Sequence, residues 1–401
     1  MHRKPSRFLR RLQHLSDRVR SVVSARRISQ KLLVLESDDW GSIRTSTREA
    51  YERLKDSGWP MENSPYNLDA LETEEDMESL LSVLNTFRDT KGNPPCLTSN
   101  MVLACPDFHK IRNSGFKRYS FVPVVDFIRS DPSRQNLPYK WAKGISQRVF
   151  LPQLHAREHV CWWRWLEALR GGSEEGMITF ELGMCGVPFA SSRENQSFFT
   201  PLYVEEHELH RYGVNLQTMI IEGHNLFREA FGFSPLSTVP PNHQWTDQAE
   251  SIWAGLGIRY IQGVSRQMLG SGAIGARVKT RLHYLGEKNV HDMIYIVRNV
   301  EFEPSSNKKV NWINKAMQQI RFAFLSHQPA IINTHRHNYI GSIKKENRDN
   351  GLTQLSELLE RVLKQWPDVQ FVSTPELGRR LHSTNSEHMV YNGVVNVERE
   401  G

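Results

Sequence analysis

Cysteine is scarce in this chain: four residues in 401, Cys96, Cys105, Cys161 and Cys185, with no Cys-x-x-Cys pair. That excludes a disulfide scaffold and suits a reducing compartment. No apolar run approaches the length of a membrane-spanning helix, and the N-terminus carries no apolar segment of the signal-peptide kind. The expectation is therefore a cytoplasmic protein. Internal repeats and low-complexity segments are also missing. What remains is ordinary: 39% hydrophobic and 24% charged residues, enough for a sizeable core.

An excess of positive charge is missing from most of the chain, although the total is +7. Residues 1 to 31 hold ten Lys or Arg against the single acid Asp17, and the rest of the chain sums to −2. The body therefore has no basic surface of the nucleic-acid-binding kind, and no nucleic-acid partner is expected. Phe8, Leu12, Leu15, Val19 and Val22 fall at three- and four-residue steps among arginines. That spacing predicts an amphipathic basic arm over residues 1–30, with three destinations open. Its stripe packs on the body or on a second copy, it lies on an anionic membrane surface as a peripheral contact at the inner face, or it is a disordered tail.

From residue 31 onward short apolar runs alternate with helical patterns. Strands are expected at 32–35, 96–104, 149–154, 177–182, 258–262, 293–297, 330–333 and 369–372. Helices are expected at 45–57, 73–88, 160–170, about 204–231, 311–325 and 354–365. Residues 105–148 read as a long loop with short helices, and 265–289 as a Gly-rich basic loop. This alternation predicts a mostly parallel sheet with crossover helices over residues 31–383, followed by a loose tail over 384–401.

Chemistry-bearing residues recur where these strands end, which favours a barrel with one site at one mouth. Leu32–Leu35 leads into Glu36-Ser37-Asp38-Asp39-Trp40-Gly41. A turn is the plain reading of Asp-Asp before Gly; a site is the other, with one carboxylate toward a metal and its neighbour toward substrate. The strand at 149–154 runs into His155-Ala156-Arg157-Glu158-His159. At spacing four at a helix start, both imidazoles face one side and can share a metal. Sixteen histidines produce such spacings by chance; the position at a strand end is what selects this pair. Trp162, Trp163 and Trp165 read as helix core for at least two of the three, with sugar stacking as the alternative. Ala330–Asn333 ends in Thr334-His335-Arg336-His337. Trp40, the rigid Pro-Pro loop residues Asn242, His243 and Trp245, and His337 form the candidate substrate-binding set.

One Asp with two His is a set that leaves positions open on a divalent metal. A second Asp to take a proton and a His to give one complete a hydrolytic site. This order of motifs resembles the polysaccharide deacetylase family, also called the NodB-homology or carbohydrate esterase family 4 fold, in a divergent bacterial branch. The resemblance implies a distorted (β/α) barrel of about seven strands with long loop insertions. It implies Asp38 as catalytic base and Asp39, His155 and His159 as ligands of a divalent metal, Zn2+ first, with Co2+ or Ni2+ as alternatives. It implies His335 as catalytic acid, preferred over His337 because it is closer to the strand end. Ala156 stands where the family has Ser or Thr. No arginine aligns with the family's third-motif Arg, which tethers the base; Pro240-Pro241-Asn242 is a partial counterpart, and Arg44 is the nearest stand-in. No carboxylate to tune the catalytic His can be named from the sequence.

The leading reading is a metal-dependent hydrolase removing an acyl group, N-acetyl first, from a saccharide or glycan precursor. Two others stay open. One is a glycoside hydrolase of related barrel type with Glu36 or Glu158 as a partner carboxylate, and the other a catalytically silent glycan-binding or scaffold protein.

Overall fold

The computed structural model describes residues 23–199, 206–269 and 279–382. The arm's apolar stripe and the 384–401 tail lie outside the described residues. From Ala25 onward the chain already packs on the body: Ala25 and Ile28 are buried, and Arg26 N–H donates to Leu285 O at 2.9 Å. Among the described residues no helix is long and apolar enough to cross a membrane.

Thirteen strands are present among the described residues. They are β1 (Leu32–Trp40), β2 (Leu97–Val102), β3 (Ala104–Pro106), β4 (Phe121–Pro123), β5 (Phe150–Ala156), β6 (Ser237–Thr238), β7 (Tyr260–Gly263), β8 (Arg266–Leu269), β9 (Lys279–Leu282), β10 (Ile294–Val297), β11 (Val300–Glu301), β12 (Ala330–His335) and β13 (Gln370–Phe371). The main sheet is parallel and runs β10-β7-β6-β5-β2-β1-β12-β11, with β13 also on β1. β1 is buried along its whole length, as expected of a strand covered on both faces.

The two ends of this order, β10 and β11, are separated in the chain only by Arg298 and Asn299. Arg298 N–H donates to Gly263 O on β7 at 2.8 Å, and Asn299 N–H donates to Ile331 O on β12 at 3.2 Å. The sheet must therefore curl until its edges meet at this two-residue seam. Counting β10 and β11 as one stave gives seven: a distorted (β/α) barrel. Helices flank it, with Leu137–Ser146 and Leu216–Phe231 on β5 and Trp312–Leu325 on β11 and β12.

Several sequence expectations are corrected. The first helix is Arg48–Asp56, not 45–57, because Thr45 Oγ1 donates to Asn67 O and Thr47 supplies the cap, accepting from Ala50 N–H. Residues 177–182 are not a strand. Residues 177–181 belong to helix Glu174–Glu181, with Leu182 as its C-cap; the helix starts on Ser173 as cap and buries Glu175, Gly176, Thr179 and Phe180 at helical spacing. The expected helix over 204–231 is two, Glu206–Tyr212 and Leu216–Phe231; Gly213 at φ +61° breaks it, and Asn215 caps the second by accepting from Thr218 N–H. The supposed loop after residue 265 contains the antiparallel pair β8–β9. Trp163 and Trp165 are buried, while Trp162 is half-buried and stacks on Tyr119.

Candidate metal centre

The end of β1 shows how two adjacent Asp residues reach one site. In a regular strand their side chains would point to opposite faces. Pairing with β2 slips between Ser37 and Trp40, and Asp39 sits at φ +74°, the left-handed region that a non-glycine residue adopts at a cost. This bulge turns both carboxylates into the barrel mouth. Gly41 follows at φ +77°; a Cβ there would lie 2.5 Å from Val102 O, so only glycine lets β1 turn beside β2.

β5 repeats the device. Its register on β2 steps from Leu154 to Ala156, leaving His155 as the extra residue. His155 is therefore on a strand and His159 on the loop after it; the helix starts only at Trp162, so the two imidazoles do not share a helix face as the spacing suggested. They converge all the same. One donor atom each from Asp39, His155 and His159 lies within 4.8 Å of the others. The Nε2 atoms of His155 and His159 are 3.4 and 3.6 Å from Asp39 Oδ1. Tetrahedral zinc at its usual bond lengths needs donor separations of about 3.3 Å.

Second contacts suit the same use. His155 Nδ1 donates to Val239 O at 2.6 Å, which directs the Nε2 lone pair toward Asp39. Burial, reinforced by Arg44, pushes the His159 pKa well below its usual value, so the ring is neutral. Burial works to raise the Asp39 pKa, but the Arg44 guanidinium outweighs it and holds the carboxyl well below its ordinary range. Glu36, Asp38, Asp39, Asp69, Glu72 and Glu303 are buried around the mouth, facing the guanidiniums of Arg44, Arg298 and Arg336 and the imidazole of His335. Burial raises the pKa of Glu36 and lifts that of Asp69 to about 6. The donor set of Asp39, His155 and His159 fits a divalent ion.

Asp38 is held by Arg298 and not by Arg44. Arg298 Nη1 donates to Asp38 Oδ2 at 2.6 Å and Nη2 to Oδ1 at 2.7 Å, while Nε donates to Glu36 Oε2 at 2.6 Å. Asn100 Nδ2 adds a bond to Oδ1 at 2.8 Å. Burial alone would raise the Asp38 pKa; the guanidinium outweighs it and keeps the carboxyl well below its ordinary range. Arg44 instead pairs with Asp39 and lies 3.3 Å from Asp69.

Opposite Asp38 stands His335 at the end of β12, level with Asp38 in the register. Its Nδ1 donates to Glu303 Oε1 at 2.6 Å, and its Nε2 faces Tyr66 Oη at 3.3 Å and Asp38 Oδ2 at 3.9 Å. Burial works against the charged ring, but Glu303 outweighs it and raises the pKa to about 9. Asn338 Nδ2 fixes Glu303 by donating to Oε2 at 2.6 Å. Asn338 is held in turn by helix Lys345–Gln365, where a Cβ on Gly351 would lie only 1.8 Å from Asn338 O.

The other expected site residues scatter. Trp40 is buried in the core, edge-on to Phe150, with Nε1 donating to Ser37 Oγ at 3.0 Å. Trp245 is likewise core: Nε1 donates to Glu250 Oε1 at 2.7 Å and the ring stacks near His283. Neither reaches the mouth, because the bulge in β1 and the Pro-Pro turn reset the facing that the sequence suggests. His337 is not a competing acid: its side chain is 1% exposed against 19% for His335, and it stacks behind that ring at 5.7 Å. Burial pushes its pKa down to about 4, so it backs the mouth as a neutral ring. His243 does face the centre. Burial, then Arg298, lowers its pKa to about 3, and a Cβ on Gly263 would lie 3.2 Å from its Nδ1. Asn242 is exposed on the same loop and donates to Phe199 O. Glu36 and Glu158 are held in buried pairs with Arg298 and Arg157.

Arg298 and Glu303 are the residues that sequence reasoning missed. An arginine directly after the apolar run Ile294–Val297 was the available signal for the first. Nothing local marks the second.

No protein-family model matches the chain, and no curated protein matches it. Solved structures resemble it distantly. A protein designated a polysaccharide deacetylase from Mycobacterium smegmatis is 9% identical over 89% of this chain and 91% of that one, with a TM-score of 0.40. A 4-alpha-glucanotransferase from Thermococcus litoralis is 6% identical over 86% of this chain and 40% of that one, with a TM-score of 0.42. A CE4 family pseudoenzyme from Bacillus anthracis is 8% identical over 87% and 66%, with a TM-score of 0.35. The chemistry assigned to this chain rests on its own geometry.

Proposed function

We propose that the chain is a metal-dependent hydrolase that removes an acyl group, N-acetyl first, from a saccharide or glycan precursor. One observation carries the reading: three converging donors, Asp39, His155 and His159, share a barrel mouth with the clamped carboxylate of Asp38 and the charged imidazole of His335. Asp39, His155 and His159 would hold the ion, with Zn2+ as first choice and Co2+ or Ni2+ as alternatives. When bound, the ion polarises the acyl carbonyl and acidifies the attacking water, which a base as weak as Asp38 requires.

The remaining work falls to the chain's own residues. Asp38 Oδ1 accepts from both Arg298 and Asn100, whereas Oδ2 accepts from Arg298 alone, so Oδ2 is the atom that accepts the water's proton. Arg298 keeps that carboxylate aimed across the mouth. His335 is charged at neutral pH and donates from Nε2 to the leaving amine, while Glu303 retains the proton on Nδ1. The motif resemblance and the polar mouth support a saccharide substrate.

The test is elemental analysis of the purified full chain beside His155→Ala and His159→Ala, followed by a panel of N-acetylated sugars with Asp38→Asn. About one divalent ion per chain, lost in both histidine variants, together with turnover lost in D38N supports the reading. No metal in the wild type after incubation with zinc, cobalt or nickel overturns it.

A further inference from the structure

Arg44 is a charged side chain in direct contact with two of the three metal-donor residues, and the hydrolytic scheme does not use it. Its Nη2 lies 3.1 and 3.2 Å from the two Asp39 oxygens and 3.4 Å from His159 Nε2. A guanidinium has N–H groups and no acceptor. The His159 nitrogen facing it therefore presents its lone pair, the same lone pair that a metal ion takes. One lone pair cannot serve both, and a divalent ion beside a guanidinium in a dry site meets strong repulsion.

A second seat for Arg44 is already built. Its Nε is 3.3 Å from Asp69 Oδ2, yet both atoms are buried without a hydrogen bond. The contact is close but poorly aligned, and a small rotation toward Asp69 would complete it. The rings of Tyr66 and Phe199, at 5.2 and 4.7 Å from the guanidinium carbon, bracket the group and keep it charged wherever it sits.

We propose that Arg44 is an internal counter-cation that holds Asp39 and His159 in the metal-free protein and moves onto Asp69 when a divalent ion binds. The inference rests on the metal reading of this centre. Arg44 keeps the donor set assembled without metal and lowers the affinity with which metal is taken up.

The experiment is competitive Zn2+ binding against a chromogenic chelator, with the Co2+ absorption spectrum as a second readout, on the full chain. Wild type, Arg44→Met and Asp69→Asn are compared after thermal melts establish that each is folded. R44M is expected to bind zinc at least about tenfold more tightly, the equivalent of one charge-assisted hydrogen bond removed from the competition. D69N, which removes the second seat, is expected to bind several-fold more weakly; it decides the matter where R44M fails to fold. Binding by wild type with no gain in R44M and no loss in D69N overturns the role of Arg44 and leaves the metal centre standing. No binding by any of the three overturns the centre and the role together.

Discussion

Glu303 Oε1 lies 2.6 Å from His335 Nδ1, and this contact does more than any other to keep a half-buried imidazole charged. His335 belongs to β12 and Glu303 follows β11, the strand beside it, so the pairing is set by sheet register. Asp38, Asp39, Tyr66 and His337 also face the ring, but Glu303 outweighs them.

The folded pKa of His335, about 9, is above its ordinary 6.5, so the charged ring stabilises the fold. That stabilisation is complete below about pH 6.5 and fades as pH rises through about 9. The hydrolysis proposed above should lose its acid over the same alkaline range. In Glu303→Gln both effects should shift toward neutral pH. Urea melts and rate profiles between pH 6 and 10, in wild type and E303Q, check this; identical profiles would sink the pairing as the source.

Arg298→Met should be among the most damaging substitutions. It leaves Glu36 and Asp38 buried without their cation, a change that typically costs about 3–5 kcal/mol. Chemical denaturation gives the number directly. A loss under about 1 kcal/mol would mean that water already reaches these carboxylates.

Gly351→Ala tests the support behind Glu303. The added methyl would collide with Asn338 O, so either the helix Lys345–Gln365 or the turn after β12 must move. The expected result is a stability loss of roughly 1–3 kcal/mol from overpacking, with a lowered His335 pKa by NMR titration. A normal imidazole titration alongside a normal melt would show that the contact is slack.

Trp40→Ala separates core from groove. Removal of a buried Trp typically costs about 3–5 kcal/mol, and zinc affinity of the folded protein should be unchanged. A variant that melts like wild type but has lost saccharide affinity would falsify the core assignment.

The readable parts of the sequence are those whose signal is local. Leu32–Leu35 before Asp38-Asp39, and Ala330–Asn333 before His335, announce strand and site within a dozen residues. The bulges at Asp39 and His155 are not legible, because a single extra residue leaves the apolar pattern intact while it turns every side chain beyond it. That is why Trp40, placed beside the doubled Asp, belongs to the core. Glu174–Glu181 misled because its apolar residues also suit a short strand; the cap at Ser173 decides for helix. Arg298 and Glu303 act on residues far away in the chain, and no spacing rule connects them.

The closure at Arg298 also sets an order of events during synthesis. Glu36 and Asp38 wait for a partner 262 and 260 positions downstream. Until that segment leaves the ribosome, the first strand carries two carboxylates that cannot be dried without an unpaired charge. The amino-terminal three-quarters of the chain would then have no stable resting state of its own. A nascent chain stalled short of residue 298 should remain open to protease and to chaperone, and the mouth that holds Asp38 and His335 would come into being in the same step that closes the wall around it.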